Sequence, residues 1–239
     1  MPDYLLHPLD GCFERVRRAD EHFAELRREI AIVFEKQANS VGIQFDPNPP
    51  YRIVKVWLPP ETFFGMHIGT LTGEIFYNLR TALDYLIFEL AKLDSGIEQS
   101  GTQFPIMDAP QDFAGRGTTF FLKGVNATHV ACIERLQPYN GCNWTRRLRD
   151  SSNADKHRHF IPSVGNSRIT VHSGVERDDL DRIQGFERKA MHPLTGSEVN
   201  VKVYIAGEVT FDDGEPIIDT IEVIKAQVAQ TLADFKPDF

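Results

Sequence analysis

Two strings of polar residues carry the groups that could do chemistry in this chain. The first, Asn78 to Tyr85, places Arg80 and Asp84 four residues apart within an otherwise apolar helical pattern. That spacing puts the guanidinium and the carboxylate on one helix face, where Asp84 could orient Arg80 toward a phosphate. An ordinary exposed ion pair, worth only a few tenths of a kcal/mol, is the competing interpretation.

The second string runs from Asn153 to His159 and reads Asn-Ala-Asp-Lys-His-Arg-His. It ends a basic stretch, residues 146–159, in which five Lys or Arg stand against two Asp, although the protein has a net charge of −8. A local basic patch on an acidic protein favours an anionic ligand. Because an imidazole exchanges protons near neutral pH, His157 is the candidate acid or base beside Arg80. A solvated basic helix end is the alternative.

A metal ion and a nucleophilic triad are less favoured for the second string. His157 and His159 are two residues apart, so they point to different sides of a helix. Asp155 and His159 do have i,i+4 spacing, and His172 or His192 could complete such a shell. The sequence has no nucleophile turn and no Walker or Rossmann glycine motif. We therefore predict neither a metal nor another cofactor.

The elements that must position these strings are mostly helices. Apolar residues that recur every three or four positions predict helices. Three segments have this pattern, and they span residues 13–38, 68–93 and 217–235. Start and stop signals predict a short helix over residues 127–137 and a polar helix over residues 143–159. Alternation and β-branched content predict strands. Three segments have this second pattern, and they span residues 51–58, 168–172 and 199–211.

Together these elements predict an α+β fold that is mainly α, a helical bundle with a small antiparallel β-sheet. We predict a single domain over residues 1–239. Its helical core would comprise residues 13–160 and the last helix, and its β-rich part would span residues 165–212. Glycine and proline predict loops over residues 94–124. Residues 185–197 are expected to form a loop or a long hairpin connection.

Composition narrows the class of protein. The 239 residues are 41% hydrophobic and 25% charged, as in ordinary globular proteins. The three cysteines are widely spaced and form no CxxC motif, which indicates reduced thiols. The N-terminus has no signal-peptide pattern, and no run approaches about 18 apolar residues. We therefore expect a cytoplasmic protein that does not bind a membrane.

Four strings, in this order, resemble a widespread group of bacterial and phage proteins whose activity is not established. They are Asn78 to Tyr85, Gln103 to Ile106, Gln137 to Tyr139 and Asp155 to Arg158. All four lie within residues 65–160. The resemblance identifies the group and implies no activity by itself.

The first string is also similar to the hallmark of the HEPN superfamily, which comprises helical bundles that include many metal-independent RNases. That hallmark is an arginine, four to six residues and then a histidine. Arg80 matches the arginine, whereas Tyr85 stands where the histidine is expected. The resemblance implies a HEPN-like bundle, RNA or a nucleotide as the partner, and a homodimer formed around the site.

Two functions are therefore predicted. In the first, the protein binds RNA or a nucleotide, or acts as a metal-independent RNase with Arg80 and His157 as catalytic residues. Six further residues would bind the substrate: Asn78, Asp84, Tyr85, Asp155, Lys156 and Arg158. In the second, the protein is a non-enzymatic interaction or scaffold protein, and the same residues form a structural polar network.

Overall fold

The structure is a computed structural model that describes residues 7–45, 53–57, 66–157, 163–172, 184–191, 196 and 198–239. For residues 154–157 and for most strand residues, the description is of the backbone. For Asp155, Lys156 and His157, only the position of the backbone in a helix is therefore described. Arg158 lies outside the described residues.

The described residues are mainly helical, which confirms this part of the predicted fold class. The α-helices are α1 (Asp10–Asn39), α2 (Met66–Ser95), α3 (Pro110–Asp112), α4 (Ala127–Arg135), α5 (Asn143–His157) and α6 (Ile217–Phe235). Two short 3₁₀-helices span Pro138–Asn140 and Lys236–Asp238. No helix within the described ranges is long and apolar enough to cross a membrane.

The long helices form where an apolar stripe can be buried. On α2, Ile75, Leu79, Leu83, Leu86 and Leu90 are all fully buried. They recur at helical spacing, which is why the predicted bounds of this helix were correct to within two residues. The burial of a leucine stabilises the fold by about 1.5–3 kcal/mol, so this stripe anchors the helix that carries the first polar string.

A π-helix, Phe113–Phe121, occupies part of the stretch that was predicted to be loop. That prediction was wrong because Gly115 and Gly117 were interpreted as turn signals. Phe113 and Phe121 are buried and anchor both ends of the segment. Gly117 is also buried, and a Cβ atom there would lie only 3.3 Å from the Phe113 ring. The glycine therefore permits close packing and does not end the helix.

The strands form two antiparallel sheets. In the first, β1 (Gly42–Phe45) pairs with β2 (Ile53–Trp57). The second has the order β3-β5-β4, and its strands are β3 (Ser163–His172), β4 (Gln184–Met191) and β5 (Glu198–Thr210). Most of β4 was predicted to be loop or hairpin connection. Its charged run, residues 187–189, hid the strand pattern, but such residues are normal on an edge strand.

The chain divides into two compact units. One comprises Met1–Glu25, Gly69–Phe160 and Ile218–Phe239, and the other comprises Leu26–Ile68 and Ile161–Ile217. The division places residues 26–68, most of which were predicted to belong to the helical core, with residues 161–217. The prediction of a single domain over residues 1–239 stays a prediction. Both polar strings lie in the first unit.

Candidate functional site

Arg80 and Asp84 form the ion pair that their spacing predicts. Arg80 Nε lies 3.5 Å from Asp84 Oδ1, and the Arg80 side chain is only 14% exposed. Asp84 is about one-third exposed. Because the guanidinium is buried, the alternative interpretation as an ordinary solvent-exposed ion pair is excluded. An arginine removed from water needs specific hydrogen-bond partners.

Those partners are the main-chain groups of Phe104, a fully buried residue. The Phe104 amide donates a hydrogen bond to Asp84 Oδ1 over 2.9 Å. Arg80 Nη2 donates a hydrogen bond to the Phe104 carbonyl oxygen. The two side chains thus satisfy both backbone groups of one residue, as a neighbouring strand would. The partners described for this ion pair are therefore main-chain groups. The sequence predicts partners from the second string, and the side chains of residues 154–159 lie outside the described residues.

Gln137 makes the same kind of contact further along this segment. Its side chain is fully buried. The Met107 amide donates to Gln137 Oε1 over 2.9 Å, and Gln137 Nε2 donates to the Pro105 carbonyl over 2.9 Å. Gln137 Nε2 also donates to the Ile133 carbonyl over 3.1 Å, which ties the segment to α4.

Arg149, on α5, lies at the outer end of the same segment. Its Nη1 donates to the Ile106 carbonyl over a long 3.4 Å and to Asp108 Oδ2 over 2.7 Å. Arg146 binds the other oxygen of Asp108 at 3.1 Å. The hydrogen bond from Arg149, assisted by the one from Arg146, lowers the pKa of Asp108.

We call Arg80, Asp84, Gln137 and Arg149 the backbone clamp. These four side chains come from α2, from the residues after α4 and from α5, and they bind main-chain groups of residues 104–107. The clamp unites three of the four strings noted in the sequence. Buried main-chain groups without partners are costly, so the clamp lets an irregular segment run through the core.

The Arg80 guanidinium is not saturated by the clamp. Its Nη1 nitrogen is buried and has no hydrogen-bond partner within the described part of the chain. Burial lowers the pKa of Arg80; Asp84 opposes this effect, and the charge of Arg149 adds to it. Arg80 stays charged, because the pKa of a guanidinium starts far above neutrality. Two arginines therefore lie close enough to repel each other.

Asn78 and Tyr85 are not part of the backbone clamp, and their assignment to substrate binding stays a prediction. Both bind Arg15 of α1: Nη1 donates to Asn78 Oδ1 over 3.2 Å, and Nη2 donates to the Tyr85 hydroxyl over 3.0 Å. The Arg15 guanidinium also lies 5.3 Å from the centre of the Tyr85 ring. At 3.6 residues per turn, position 85 is rotated by about 140° from position 80, so the two side chains contact different elements.

The second string cannot be placed in the same way. The side chains of Asp155, Lys156 and His157 lie outside the described residues, as does all of Arg158. Their assignment to catalysis or substrate binding stays a prediction. The alternative metal ligands His159, His172 and His192 also lie outside the residues whose side chains are described.

A second polar site, which we call the histidine cluster, was not predicted. It consists of Asp94, Asn126, His129 and Asp238. The Asp94 carboxylate accepts hydrogen bonds from the Asn126 amide (2.8 Å) and side chain (2.7 Å), and lies 2.7 Å from His129 Nδ1. His129 Nε2 lies 3.5 Å from Asp238 Oδ2.

The histidine cluster joins the ends of three helices. Asp94 is near the end of α2, Asn126 caps α4 by accepting from the His129 amide over 2.9 Å, and Asp238 follows α6. A carboxylate on Nδ1 fixes the tautomer and the orientation of an imidazole, as in general-base dyads. Here Nε2 faces Asp238, so the arrangement ties segments together. Only the Asn126 cap signal was readable from the sequence.

Within the residues that the structure describes, no group of three or more His, Cys, Asp or Glu is placed to hold a metal ion. The three cysteines form no disulfide. Burial, together with the nearby Glu89 charge, raises the pKa of the Cys12 thiol to about 12. Comparisons of the chain with protein-family models, curated proteins and solved structures found no match.

Proposed function

We propose that this chain is a non-enzymatic interaction protein that uses a HEPN-like helical bundle, with a small antiparallel sheet, as its scaffold. In this proposal, Arg80 and Asp84 are structural residues. One observation carries this proposal: both side chains form hydrogen bonds with the backbone of Phe104, so their charges stabilise buried main-chain groups. An arginine employed for phosphate binding would instead present its planar donors to solvent.

The burial of the guanidinium is the second step of this argument. Arg80 has a side chain 14% exposed, and its free nitrogen, Nη1, is inside the protein. A phosphate could reach that nitrogen only if the groups that bury it moved. The proposal therefore predicts that Arg80 matters for stability whether or not a ligand is present.

The test is thermal and urea unfolding of Arg80→Ala beside Arg146→Ala. Arg80→Ala strips the Phe104 carbonyl and Asp84 of their partner, so we expect a loss of about 2–4 kcal/mol. Arg146→Ala removes the same charge from an exposed pair and should cost less than about 1 kcal/mol. Equal, small losses in the two variants would contradict the structural role of Arg80.

RNA or nucleotide binding is the second candidate function. The observation in its favour is the unpartnered Nη1 of Arg80 in the electrostatic range of Arg149, because two neighbouring guanidinium groups attract an anion. In this candidate, Arg80 binds a phosphate and His157 is the acid or base. Asp155, Lys156 and Arg158 contact the substrate, and the HEPN resemblance implies a homodimer.

This candidate predicts RNA binding or cleavage that survives EDTA, since it uses no metal. Binding should weaken with salt, as phosphate contacts require. The informative variant is His157→Ala, because it leaves the backbone clamp intact. The candidate fails if the wild-type protein neither binds nor cuts RNA at low and moderate salt. Sedimentation equilibrium of the full chain tests the predicted homodimer independently.

A further inference from the structure

A cleft of about 560 Å³ opens beside the second half of α2. It is lined by α2 and by the loop that follows this helix. Among the lining residues are Asp84, Tyr85, Phe88, Glu89, Gln99 and Thr102. Its volume falls within the range of about 300–1,000 Å³ that is typical of small-molecule sites. We call it the α2 cleft.

The charged residues that line the α2 cleft are all acidic. Asp84 and Glu89 supply two carboxylates, and none of the described lining residues is Lys or Arg. Glu89 is half-buried and forms no hydrogen bond or salt bridge within the described part of the chain. The nearest lysine on the helix, Lys92, forms its ion pair with Glu98 at 3.0 Å, and the charge of Glu89 acts on it more weakly, without a hydrogen bond. A carboxylate in such a position favours a cationic ligand.

The apolar part of the lining is aromatic. Tyr85 and Phe88 lie one helical turn apart, and both contribute to the wall. The face of an aromatic ring attracts a cation placed within about 6 Å of its centre. Tyr85 already forms one such cation–π contact inside the molecule, since the Arg15 guanidinium lies 5.3 Å from the centre of its ring. Arg15 itself is not among the residues that line the cleft.

We propose that the α2 cleft binds a small organic cation, an amidine or amine attached to a flat apolar body. The charged group lies against the Glu89 carboxylate, and the body lies against the rings of Phe88 and Tyr85. Asp84 adds negative potential, although its Oδ1 is engaged by the backbone clamp. Arg80 does not line the cleft, and Asp84 is shared with the backbone clamp. The proposal goes beyond the function proposed above because its main charge, Glu89, is not part of the clamp.

The test is calorimetric titration of the full chain with benzamidine and with benzamide, which has nearly the same shape and no charge. We expect saturable binding of benzamidine, at least about tenfold tighter than that of benzamide. Equal binding of the two probes, or no binding of benzamidine at millimolar concentration, overturns the proposal. This comparison needs no variant and is therefore independent of folding defects.

Variants then locate the site. Glu89→Gln should weaken benzamidine binding about tenfold and leave benzamide unchanged, because it removes the charge and keeps the shape. Glu21→Gln removes the same charge from the exposed surface of α1 and should change binding less than about twofold. Phe88→Leu should weaken benzamidine binding about threefold through loss of the ring. Similar effects of Glu89→Gln and Glu21→Gln would show that the cation binds by net charge alone and overturn the site.

Discussion

The backbone clamp holds a segment without regular structure, whereas the histidine cluster ties the ends of helices together, and the two regions use different kinds of partner. In the clamp, side chains bind main-chain groups of residues 104–107. In the cluster, most of the bonds join side chains to one another, with Asp94 at the centre. Both regions run from the interior to the surface: Gln137 of the clamp is fully buried and Asp84 is 32% exposed, whereas Asp94 of the cluster is 6% and Asp238 is 45% exposed.

The difference in partners determines what a substitution should cost. A lost clamp residue leaves main-chain groups that cannot rotate away to find water, so the full penalty of an unsatisfied group applies. A lost residue of the histidine cluster leaves side chains that can rearrange, and Asp94 would keep both bonds from Asn126. We therefore expect the clamp to contribute more to stability, residue for residue.

The largest effect is expected for Gln137→Ala. Its loss removes the partners of the Met107 amide and the Pro105 carbonyl and creates a cavity, so the free energy of unfolding should fall by about 3–4 kcal/mol. Urea unfolding followed by circular dichroism measures it. Gln137→Leu keeps most of the volume and should still lose about 2 kcal/mol. A leucine variant as stable as the wild type would show that the hydrogen bonds of the clamp contribute nothing net.

A smaller effect is expected for His129→Phe. The phenyl ring can keep the edge-on packing with Phe235, whose ring centre lies 5.9 Å away, but it loses the bond to Asp94. We expect a loss of about 1–2 kcal/mol in the same urea experiment. Asp238→Asn, at the exposed end, should cost less than about 0.5 kcal/mol. A loss for His129→Phe equal to that for Gln137→Ala would remove the distinction between the two regions.

The smallest effect concerns pH at the outer end of the clamp. Arg149 lowers the pKa of Asp108 in the folded protein, so the ionised carboxylate stabilises the fold. This contribution is present above the unfolded pKa near 4 and is lost as pH falls through the lower, folded value. Asp108 is 54% exposed, so the contribution should stay below about 1 kcal/mol. The wild type should exceed Asp108→Asn in stability at pH 7 and match it near pH 2; a gap that persists in acid would contradict this.

Much of the helical framework was predictable because it depends on local periodicity. The last helix was predicted at its observed bounds, Ile217–Phe235, from one apolar stripe. The π-helix was missed because Gly115 and Gly117 carry the same signal in a loop and in a tightly packed helix. The strand β4 was missed because its charged residues break the alternation that marks a half-buried strand.

The candidate site was predictable only in part. The i,i+4 spacing correctly predicted the Arg80–Asp84 pair, since that contact is made within one turn of helix. The spacing could not indicate Phe104, which lies 20 residues beyond Asp84 and meets it through the fold. Asp94 and His129 are 35 residues apart, and no local pattern links them. Contacts of this kind depend on tertiary packing, which a single sequence does not specify locally.

The clamp has a consequence for how the protein opens. Residues 104–107 belong to no helix or strand, and such segments usually exchange their amide hydrogens with solvent quickly. Here the Phe104 and Met107 amides each donate to a buried or half-buried side chain of another element. Exchange of these two amide hydrogens should therefore require the segment to separate from the side chains that bind it. We expect residues 104–107 to be among the slowest parts of the unit to become labelled by deuterium, and among the last to be cut by a protease.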